Sequence, residues 1–545
     1  MDIPLLSNPE FCGPSRLPWL GDEPFAPTNR KKPLVTLTLK NLLSGKRPRQ
    51  QPPSAIFSLP PEMLAEIFLQ AVSEDRNPPF PMHSHFVLAQ VCALWRAVAI
   101  HTPSLWCRIV LEVAAHESRH DLDRVMIRAR TCFERSHALP IALILTSSNS
   151  NPTFITNFAL DLILPVRQRI RHLETKLPVG FTESLFKLPR NSFEVLKSIT
   201  VTALVSDGAE GPWFRGMSAL QGAPVLEHFT LTFPSCCWRP REIFDPYLAD
   251  LPWEQLTELS IETLETRHED ALYALQLLEK LVRCRMDIRL LPPLVPVIAF
   301  TNGLPAPVQQ PATDIPAPKA KISLLTLRVL EVMMTGVRVD PNLFFDRLAL
   351  PSLTELSIKL SDRLTFRCKM LTDLQTRSSF SLRHFTLANA RGESVLPFIE
   401  NNPLLLSLKF AMCGMDLLPV ATALTLTPTP DNKAFTSGSV PRLRLLSLGD
   451  HWREEGRPTE WASATKAVID MVRSRRRRMK GASRLEGFIF GSSQAALSPK
   501  KKERLERWCA EGMRGRAVLL PHPPHPHLHM IMRVDDRNYL AMLDF

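Results

Sequence analysis

The 545-residue sequence lacks the motifs that identify most classes of enzyme. It contains no Walker loop, no G-x-G-x-x-G dinucleotide fingerprint and no G-x-S-x-G elbow. Acidic pairs such as Glu454–Glu455 and Glu269–Asp270 are predicted to lie among solvent-facing residues, whereas a general acid and base need a shared cleft. The sequence therefore predicts a protein that is not itself an enzyme and that requires no cofactor.

Cysteine pairs and long apolar runs are also missing. The ten cysteines form no C-x-x-C pair, and the adjacent Cys236 and Cys237 could bridge only with strained geometry. Buried free thiols in a reducing compartment are therefore expected. The apolar stretch at residues 290–300 is broken by proline and too short to span a bilayer, and the N-terminus lacks a signal-peptide pattern. We expect an intracellular protein of the cytoplasm, the nucleus or both, without a membrane partner.

The formal net charge of +12 is concentrated in three basic runs. The first, between Phe25 and Pro61, has seven basic residues and no acidic one; the others are Arg473–Arg484 and Lys500–Lys502. Such runs are typical of nuclear-import or polyanion-binding patches, and solvated tails or helix ends are the alternative. No zinc-finger, basic-zipper or RRM-type motif accompanies them, so the sequence speaks against a nucleic-acid partner.

A second candidate for chemistry is the histidine-rich stretch near the C-terminus. His522, His525, His527 and His529 alternate with proline in PHPPHPHLHM. Histidine-rich tracts can bind metals, but a structural site needs fixed geometry and usually cysteine or carboxylate ligands as well. We therefore predict no metal site.

The densest apolar patterning lies in IFSLPPEMLAEIFLQAV and in FVLAQVCALWRAVAIHTPSLWCRI. Pro60 and Pro61 suit the first turn of a helix, in which an apolar stripe recurs at helical spacing at Leu64, Ile67, Phe68 and Ala71. A second helix is predicted to carry Val87 through Ala99. Thr102 and Pro103 are predicted to cap and open a short turn with Leu105 and Trp106.

This segment of three short helices has more large apolar side chains than it can bury by itself. Units below about 40–60 residues enclose a core with difficulty. Part of the apolar stripe must therefore be covered by the rest of the chain or by another protein, and the residue pattern leaves both alternatives open.

The remainder of the chain is periodic. A helix is predicted over 118–136 and a buried strand over 140–146, after which an L-x-x-L-x-L pattern returns at intervals of about 23 to 42 residues, near the period of leucine-rich repeats. The asparagine of a strict leucine-rich repeat is missing. Helical patterns separate the copies, which predicts a solenoid of strand-plus-helix repeats with a parallel sheet. The copies begin at residues 195, 225, 255, 326, 352, 381, 404, 442 and 484, with weaker ones near 169 and 286.

The predicted fold class is therefore α/β: an N-terminal three-helix unit followed by an irregular solenoid, preceded by a disordered tail. The predicted divisions are a disordered basic and Pro-rich segment at 1–54, the three-helix unit at 55–112, a linking helix and first strand at 113–148, the repeat domain at 149–491 with a mobile Pro-rich insert at 292–321, and a helix with a Pro/His-rich tail at 492–545.

LPPEMLAEIF followed by VLAQVCALWRAVAIHTPSLW resembles the F-box in the form common in fungal, basidiomycete-type families. The repeat phrases FERSHALPIALIL, APVLEHFTLTF, LPWEQLTELSI and LPSLTELSI are similar to the irregular leucine-rich repeats that follow it in those proteins. The residues that match the F-box pattern are Leu59, Pro60, Pro61, Leu64, Ile67, Phe68, Val91, Cys92, Trp95, Arg96, Pro103, Leu105 and Trp106.

The resemblance implies a non-catalytic adaptor of an SCF-type cullin–RING ubiquitin ligase. The F-box would bind the Skp-type linker and, through it, a cullin, while the repeats would bind a protein substrate of unknown identity. The alternative is a leucine-rich-repeat interaction module whose F-box has drifted and is not assembled into a ligase. The implied linker-binding set is Leu59, Pro60, Pro61, Leu64, Ile67, Phe68, Val91, Cys92, Trp95, Leu105 and Trp106.

Overall fold

The computed structural model divides by internal contacts into residues 1–60 and residues 61–545. The described residues are 56, 59–73, 84–113, 119–147, 152–204, 217–232, 251–290, 298–301, 304–307, 321–336, 340–361, 364–390, 394–411, 417–431, 434–449, 458–476, 480–490, 503 and 507. Three predictions fall outside the described residues: the disorder of residues 1–54, most of the mobile insert at 292–321, and the Pro/His-rich tail.

The part of the chain that the structure describes contains twelve α-helices. They are α1 (Pro61–Ser73), α2 (Ser84–Val91), α3 (Ala93–Ile100), α4 (Arg119–Arg135), α5 (Pro152–Ile163), α6 (Val179–Phe186), α7 (His268–Gln276), α8 (Asn342–Phe345), α9 (Cys368–Ser378), α10 (Leu396–Glu400), α11 (Leu417–Leu424) and α12 (Pro458–Arg476).

The same residues contain nineteen β-strands. They are β1 (Arg108–Val113), β2 (Ile141–Ser147), β3 (Ile170–Pro178), β4 (Ser198–Leu204), β5 (His228–Thr232), β6 (Glu258–Arg267), β7 (Arg283–Arg289), β8 (Ile298–Thr301), β9 (Leu304–Pro307), β10 (Ile322–Ser323), β11 (Val329–Thr335), β12 (Leu348–Ala349), β13 (Glu355–Leu360), β14 (His384–Ala388), β15 (Ser407–Ala411), β16 (Thr427–Pro428), β17 (Phe435–Ser437), β18 (Leu445–Gly449) and β19 (Gly487–Phe490).

Thirteen of these strands form one parallel sheet whose spatial order follows the order of the chain. The order is β1-β2-β3-β4-β5-β6-β7-β11-β13-β14-β15-β18-β19, and the remaining six strands form three two-stranded pairs. Parallel neighbours need a crossover between them, and most crossovers here contain a helix or a helical turn. The fold is therefore α/β with a large parallel sheet, an arrangement compatible with a solenoid-like repeat.

The predicted repeat copies all become strands of this sheet. In each of the nine clear copies the strand begins three residues after the start of the copy, as in the copy at 195, where β4 starts at Ser198, and in the copy at 352, where β13 starts at Glu355. The two weaker copies correspond to β3 and β7. The first strand differs from the prediction, because β1 lies before helix α4 rather than after it. Its alternating RIVLEV pattern already pairs in register with β2.

One face of the sheet is a continuous row of buried apolar side chains. Neighbours in register along this row include Ile199, Phe229 and Leu259, and farther along Leu356 and Phe385. Each of these five is at most 2% exposed. Burying one such side chain stabilises the fold by about 1.5–3 kcal/mol, and the row repeats that contribution from strand to strand.

The opposite face of the sheet, called the open face below, is polar. Because side chains alternate along a strand, the residues between the buried ones point to this face. A central row across it contains Thr200, Thr230, Ser260 and Arg285 in register. Arg285 pairs with Glu262 Oε1 at 3.3 Å and with Glu331 Oε2 at 3.6 Å, so charges here are matched across strands.

The second basic run is not uniformly exposed. Arg475, near the end of α12, is fully buried, and its guanidinium donates to the backbone oxygens of Leu424, Val440 and Ser439 at 2.6, 2.9 and 2.6 Å. Burial lowers the pKa of Arg475 to about 10, so it stays charged at neutral pH. For this residue both interpretations of the run, a polyanion patch and a solvated helix end, are wrong, because the guanidinium binds the carbonyl at the end of α11.

Candidate functional site

Helices α1, α2 and α3 and the 3-10 turn Pro103–Trp106 pack together as the first structural unit after residue 60. Helix α1 contacts α2, α3 and the turn, and α2 contacts α3. Helix α1 begins at Pro61, as the paired prolines predicted, with Glu62 in its first turn. Strand β1 follows the turn directly, which joins this unit to the first layer of the sheet.

The helix that was predicted to run from Val87 to Ala99 is two helices. Cys92 lies between α2 and α3 in an extended conformation, with φ −158° and ψ 173°. Its Sγ accepts a hydrogen bond from the backbone N–H of Trp95 at 3.5 Å and so caps α3. The apolar spacing continues across the break, which is why the sequence pattern did not reveal it.

The turn that carries Leu105 and Trp106 forms as predicted, but Thr102 does not cap it. The Thr102 hydroxyl instead donates back to the Val98 carbonyl at 2.7 Å, which closes the end of α3. The turn is held by the N–H of Leu105, which donates to the Thr102 carbonyl at 3.0 Å.

Trp106 is the centre of this unit. Its side chain is fully buried, and Nε1 donates to the Ala99 carbonyl at 2.7 Å. The rings of His85 and Phe86 lie edge-on at 4.9 and 5.3 Å from its centroid, and the Arg135 guanidinium of α4 lies 4.3 Å over its face. Trp106 therefore ties α2, α3 and α4 together, partly through a cation–π contact.

A buried cysteine and histidine also meet beneath this cluster. Cys132 Sγ of α4 lies 3.6 Å from His85 Nε2. Burial raises the pKa of Cys132 to about 12, so the sulfur is a protonated thiol at neutral pH and not the thiolate that nucleophilic catalysis requires. The contact packs α2 against α4.

Trp95 packs within the unit. Its ring lies 4.9 Å from that of Phe68, tilted by 55°, and joins α3 to α1. Trp95 is half-buried, and its Nε1 is buried without a hydrogen-bond partner in the described part of the chain.

The residues that the resemblance implied as linker-binding fall into three groups. Exposed members are Pro60, Pro61, Ile67 and Val91; half-buried members are Leu59, Cys92 and Trp95; buried members are Leu64, Phe68, Leu105 and Trp106. The placement of the four buried side chains differs from the expectation that they face a partner. They are buried within the chain, because a unit this small needs its largest side chains inside.

Three exposed apolar residues on the same helices were not in the predicted set. Met63 precedes Ile67 by four residues on α1, Val87 precedes Val91 by four on α2, and Leu94 lies in the first turn of α3. Residues four apart lie on one face of a helix. The spacing of Met63 from Ile67 and of Val87 from Val91 could therefore have indicated that each pair shares a face. We call Met63, Ile67, Val87, Val91 and Leu94 the apolar helical surface.

The acidic pair Glu269–Asp270 is not solvent-facing as a whole. Asp270 is buried and accepts hydrogen bonds from Arg267 Nε at 2.7 Å and from Arg267 Nη2 at 3.2 Å. Burial raises the pKa of Asp270, and the bond from Arg267 opposes that rise. Its carboxylate is engaged in an ion pair and does not converge with Glu269 on a cleft. The pair Glu454–Glu455 lies outside the described residues.

The sequence also contains one H-E-x-x-H match, residues 116–120, a pattern that holds zinc when both histidines lie on one helix. Helix α4 begins at Arg119, and residues 114–118 lie outside the described part of the chain. Within the described ranges, no three histidine, cysteine, aspartate or glutamate side chains are grouped to hold a metal. The absence of a metal site stays a prediction.

Among the helices that the structure describes, none is both long enough and apolar enough to cross a membrane. Neither a protein-family model nor a curated protein matches the chain. The resemblance to the F-box therefore remains an expectation that rests on the residues of the segment itself.

Proposed function

We propose that the protein is a substrate-recognition adaptor of an SCF-type cullin–RING ubiquitin ligase. In this proposal the three-helix unit is an F-box that binds the Skp-type linker, and the repeats bind a protein substrate. The observation that carries it is the apolar helical surface. Fourteen large apolar side chains are exposed in the described residues, and five of them lie on α1, α2 and α3.

The concentration of these side chains favours a protein interface. Single exposed apolar residues are ordinary, but several on one small unit are typical of a binding surface. Ile67 is 42% exposed and Val91 53%, and each has a second apolar residue one helical turn away. The nine other exposed apolar side chains are spread over residues 127–418.

The proposed mechanism is proximity. The linker would hold the apolar helical surface, the substrate would lie on the repeats, and the ligase would bring a ubiquitin-charged enzyme to the same assembly. Holding two reactants together raises their effective concentration by orders of magnitude, so this chain needs no catalytic group.

The experiment is co-purification of the full chain with a Skp-type linker. The double variant Ile67→Ser/Val91→Ser should abolish co-purification, since loss of an interface hot spot costs about 2 kcal/mol or more. Its thermal unfolding should be nearly unchanged, because both side chains are exposed. Val225→Ser, at an exposed valine of the repeats (46%), is the matched control. Leu59→Ala/Pro60→Ala tests the entry to α1 in the same way.

Retained binding by Ile67→Ser/Val91→Ser would contradict the proposed interface. If the unmodified protein itself does not bind the linker, the alternative applies, namely a leucine-rich-repeat interaction module outside any ligase. Burial of Leu64, Phe68, Leu105 and Trp106 within the chain is the observation that favours this alternative.

A further inference from the structure

The open face of β4 and β5 presents four threonines in a two-by-two array. Thr200 and Thr202 of β4 lie in register with Thr230 and Thr232 of β5. Neighbouring strands are about 4.8 Å apart, and residues two apart on one strand are separated by about 6.6 Å. All four side chains are half-buried. We call these four residues the threonine square.

The hydroxyls of the threonine square have no hydrogen-bond partner among the residues that the structure describes. Threonines at the bases of other strands are used within the fold. Thr326 Oγ1 donates to the Leu281 carbonyl at 2.8 Å, and Thr354 Oγ1 donates to the Arg328 carbonyl at 3.1 Å. Each hydroxyl of the square can both donate and accept, and its β-branched side chain has few rotamers. The square therefore offers four ordered hydroxyls to a ligand.

The strands on either side of the square carry charges of both signs. Glu174 and Lys176 of β3 lie in register with the two threonines of β4. On the other side, Glu262 of β6 lies in register with the second threonine of β5, and it pairs with Arg285 at 3.3 Å. A charged ligand group would lose its hydration here without meeting an uncompensated opposite charge, which is unfavourable. The charge pattern therefore fits an uncharged polar ligand.

The third border of the square is a hydrogen-bonded pair. His172, which follows a bulge at Arg171 in β3, lies with its Nδ1 2.7 Å from Ser198 Oγ. Partial burial lowers the pKa of His172, and nearby cations lower it further, so the imidazole is uncharged at neutral pH. This border adds no charge of its own ring to the square.

We propose that the threonine square binds an extended segment of the protein substrate that carries Asn or Gln at two alternate positions. Alternate side chains of an extended chain point to one side about 6.6 Å apart, which is the spacing of Thr200 and Thr202. Each amide can accept from one threonine and donate to the threonine in register on the next strand. The inference rests on the proposed function, since it names a feature of the substrate that the repeats would bind.

The amide group fits the square better than other side chains do. It donates and accepts, whereas a carboxylate only accepts and an ammonium only donates. An apolar side chain would cover the hydroxyls without bonding to them, which costs free energy. The hydroxyls of a sugar could also bond to threonines. The spacing along the strands favours a protein segment, because an extended chain reproduces it residue by residue.

The same face contains an incomplete copy of the array, which serves as an internal control. Ser357 of β13 and Thr386 of β14 lie in register and are half-buried. Two residues farther along these strands are Lys359 and Ala388, so the second pair of hydroxyls is missing there. This site can hold one amide and not two, and we expect it to make no contribution to the binding of alternate amides.

The closing experiment uses the full chain without the linker. Fluorescence anisotropy compares degenerate peptides that have Asn or Gln at two alternate positions with peptides that have them at two adjacent positions. The alternate set should bind more tightly, because adjacent side chains of an extended chain point to opposite sides. Sets with Asp, Lys or Leu at the alternate positions should bind more weakly than the amide set.

The variants replace hydroxyls without changing the shape of the side chains. Thr200→Val/Thr230→Val should weaken binding of the alternate amides about tenfold or more, because the hydrogen bonds of one amide are lost. Thr200→Ser/Thr230→Ser keeps both hydroxyls and should retain binding. Ser357→Ala/Thr386→Val should leave the affinity unchanged. If the double valine variant unfolds, Thr230→Val alone provides the test.

Equal binding of the alternate and adjacent sets, or full binding by the valine variant, would overturn the inference. So would an equal loss in the serine and valine variants, because the hydroxyls would then not be the binding groups. Tighter binding of soluble glucan oligosaccharides through the same threonines would overturn it and assign the face to carbohydrate. Linker co-purification is measured separately on these variants. Its failure contradicts the proposed function alone, whereas loss of the preference for alternate amides contradicts this inference alone.

Discussion

The three-helix unit and the parallel sheet bury their side chains in different ways. The core of the unit is made of individual contacts between different residue types. Trp106, for example, contacts His85, Phe86 and Arg135. In the sheet the same type of contact recurs: the buried apolar residue of each strand packs against the residues in register on the neighbouring strands. Stability is therefore concentrated in a few contacts in the first region and distributed over many layers in the second.

The two regions also differ in what they expose. The helices leave apolar side chains such as Ile67 and Val91 in solvent, whereas the open face of the sheet presents hydroxyls and matched charges. An apolar surface suits a permanent protein partner, and a polar face suits a ligand recognised by hydrogen bonds. In the proposed function, the helices would serve assembly and the open face would serve recognition.

The largest effect is expected from Trp106→Ala. Truncation of a core tryptophan costs about 3–5 kcal/mol, and here it also removes the bond to the Ala99 carbonyl. Limited proteolysis should show cleavage within α1–α3 while β13–β15 stay protected. Trp106→Phe, which keeps part of the ring contacts, should be cleaved less. Uniform unfolding of the whole chain would contradict the division between the regions.

A somewhat smaller and more local effect is expected from Leu356→Ala in β13. Loss of this buried side chain should cost about 2–5 kcal/mol, felt mainly in the adjoining strands β11 and β14. Hydrogen exchange should accelerate there and remain slow in β2–β4. Ser357→Ala, the next residue on the open face, is the control and should leave exchange unchanged. Faster exchange along the entire sheet would show that the layers are not independent.

Arg475→Met tests the buried contact between the Arg475 guanidinium of α12 and three backbone oxygens. Like the contacts of the three-helix unit, it is not repeated from strand to strand. Its loss leaves three backbone carbonyls without their donor, and we expect a cost of about 1–3 kcal/mol in urea unfolding. Arg473→Met removes only an exposed pair with Asp470 and should change stability by about 0.5 kcal/mol or less. Equal losses of unfolding free energy in the two variants would show that the buried contacts of Arg475 do not stabilise the fold.

The smallest effect on folding is expected from Met63→Ser/Val87→Ser. Both side chains are exposed, so each change should alter the free energy of unfolding by within about 0.5 kcal/mol. Light scattering of the isolated chain should nevertheless decrease, because less apolar surface is available for self-association. Val225→Ser in the repeats should not reduce scattering. A large loss of stability would place Met63 and Val87 in the core instead.

Most of the sheet could be predicted from the sequence, and much of the candidate site could not. The leucine spacing located nine strands because each repeat encodes its own strand within a few residues. The break at Cys92 was hidden since the apolar spacing on both sides of it continues without interruption. The environment of Trp106 depends on α4, from a later part of the chain, because α4 packs on the turn and its Arg135 lies over the Trp106 ring.

By itself the sequence determined the parallel sheet and the order of its repeat strands, because these follow from the spacing of neighbouring side chains. Only the tertiary structure decided which of those side chains remain exposed, and that Arg475 of a basic run is buried. It also decided that His172 meets Ser198, 26 residues away, beside the bulge at Arg171. Such contacts depend on the register of strands that the chain brings together over long loops, and no local pattern encodes that register.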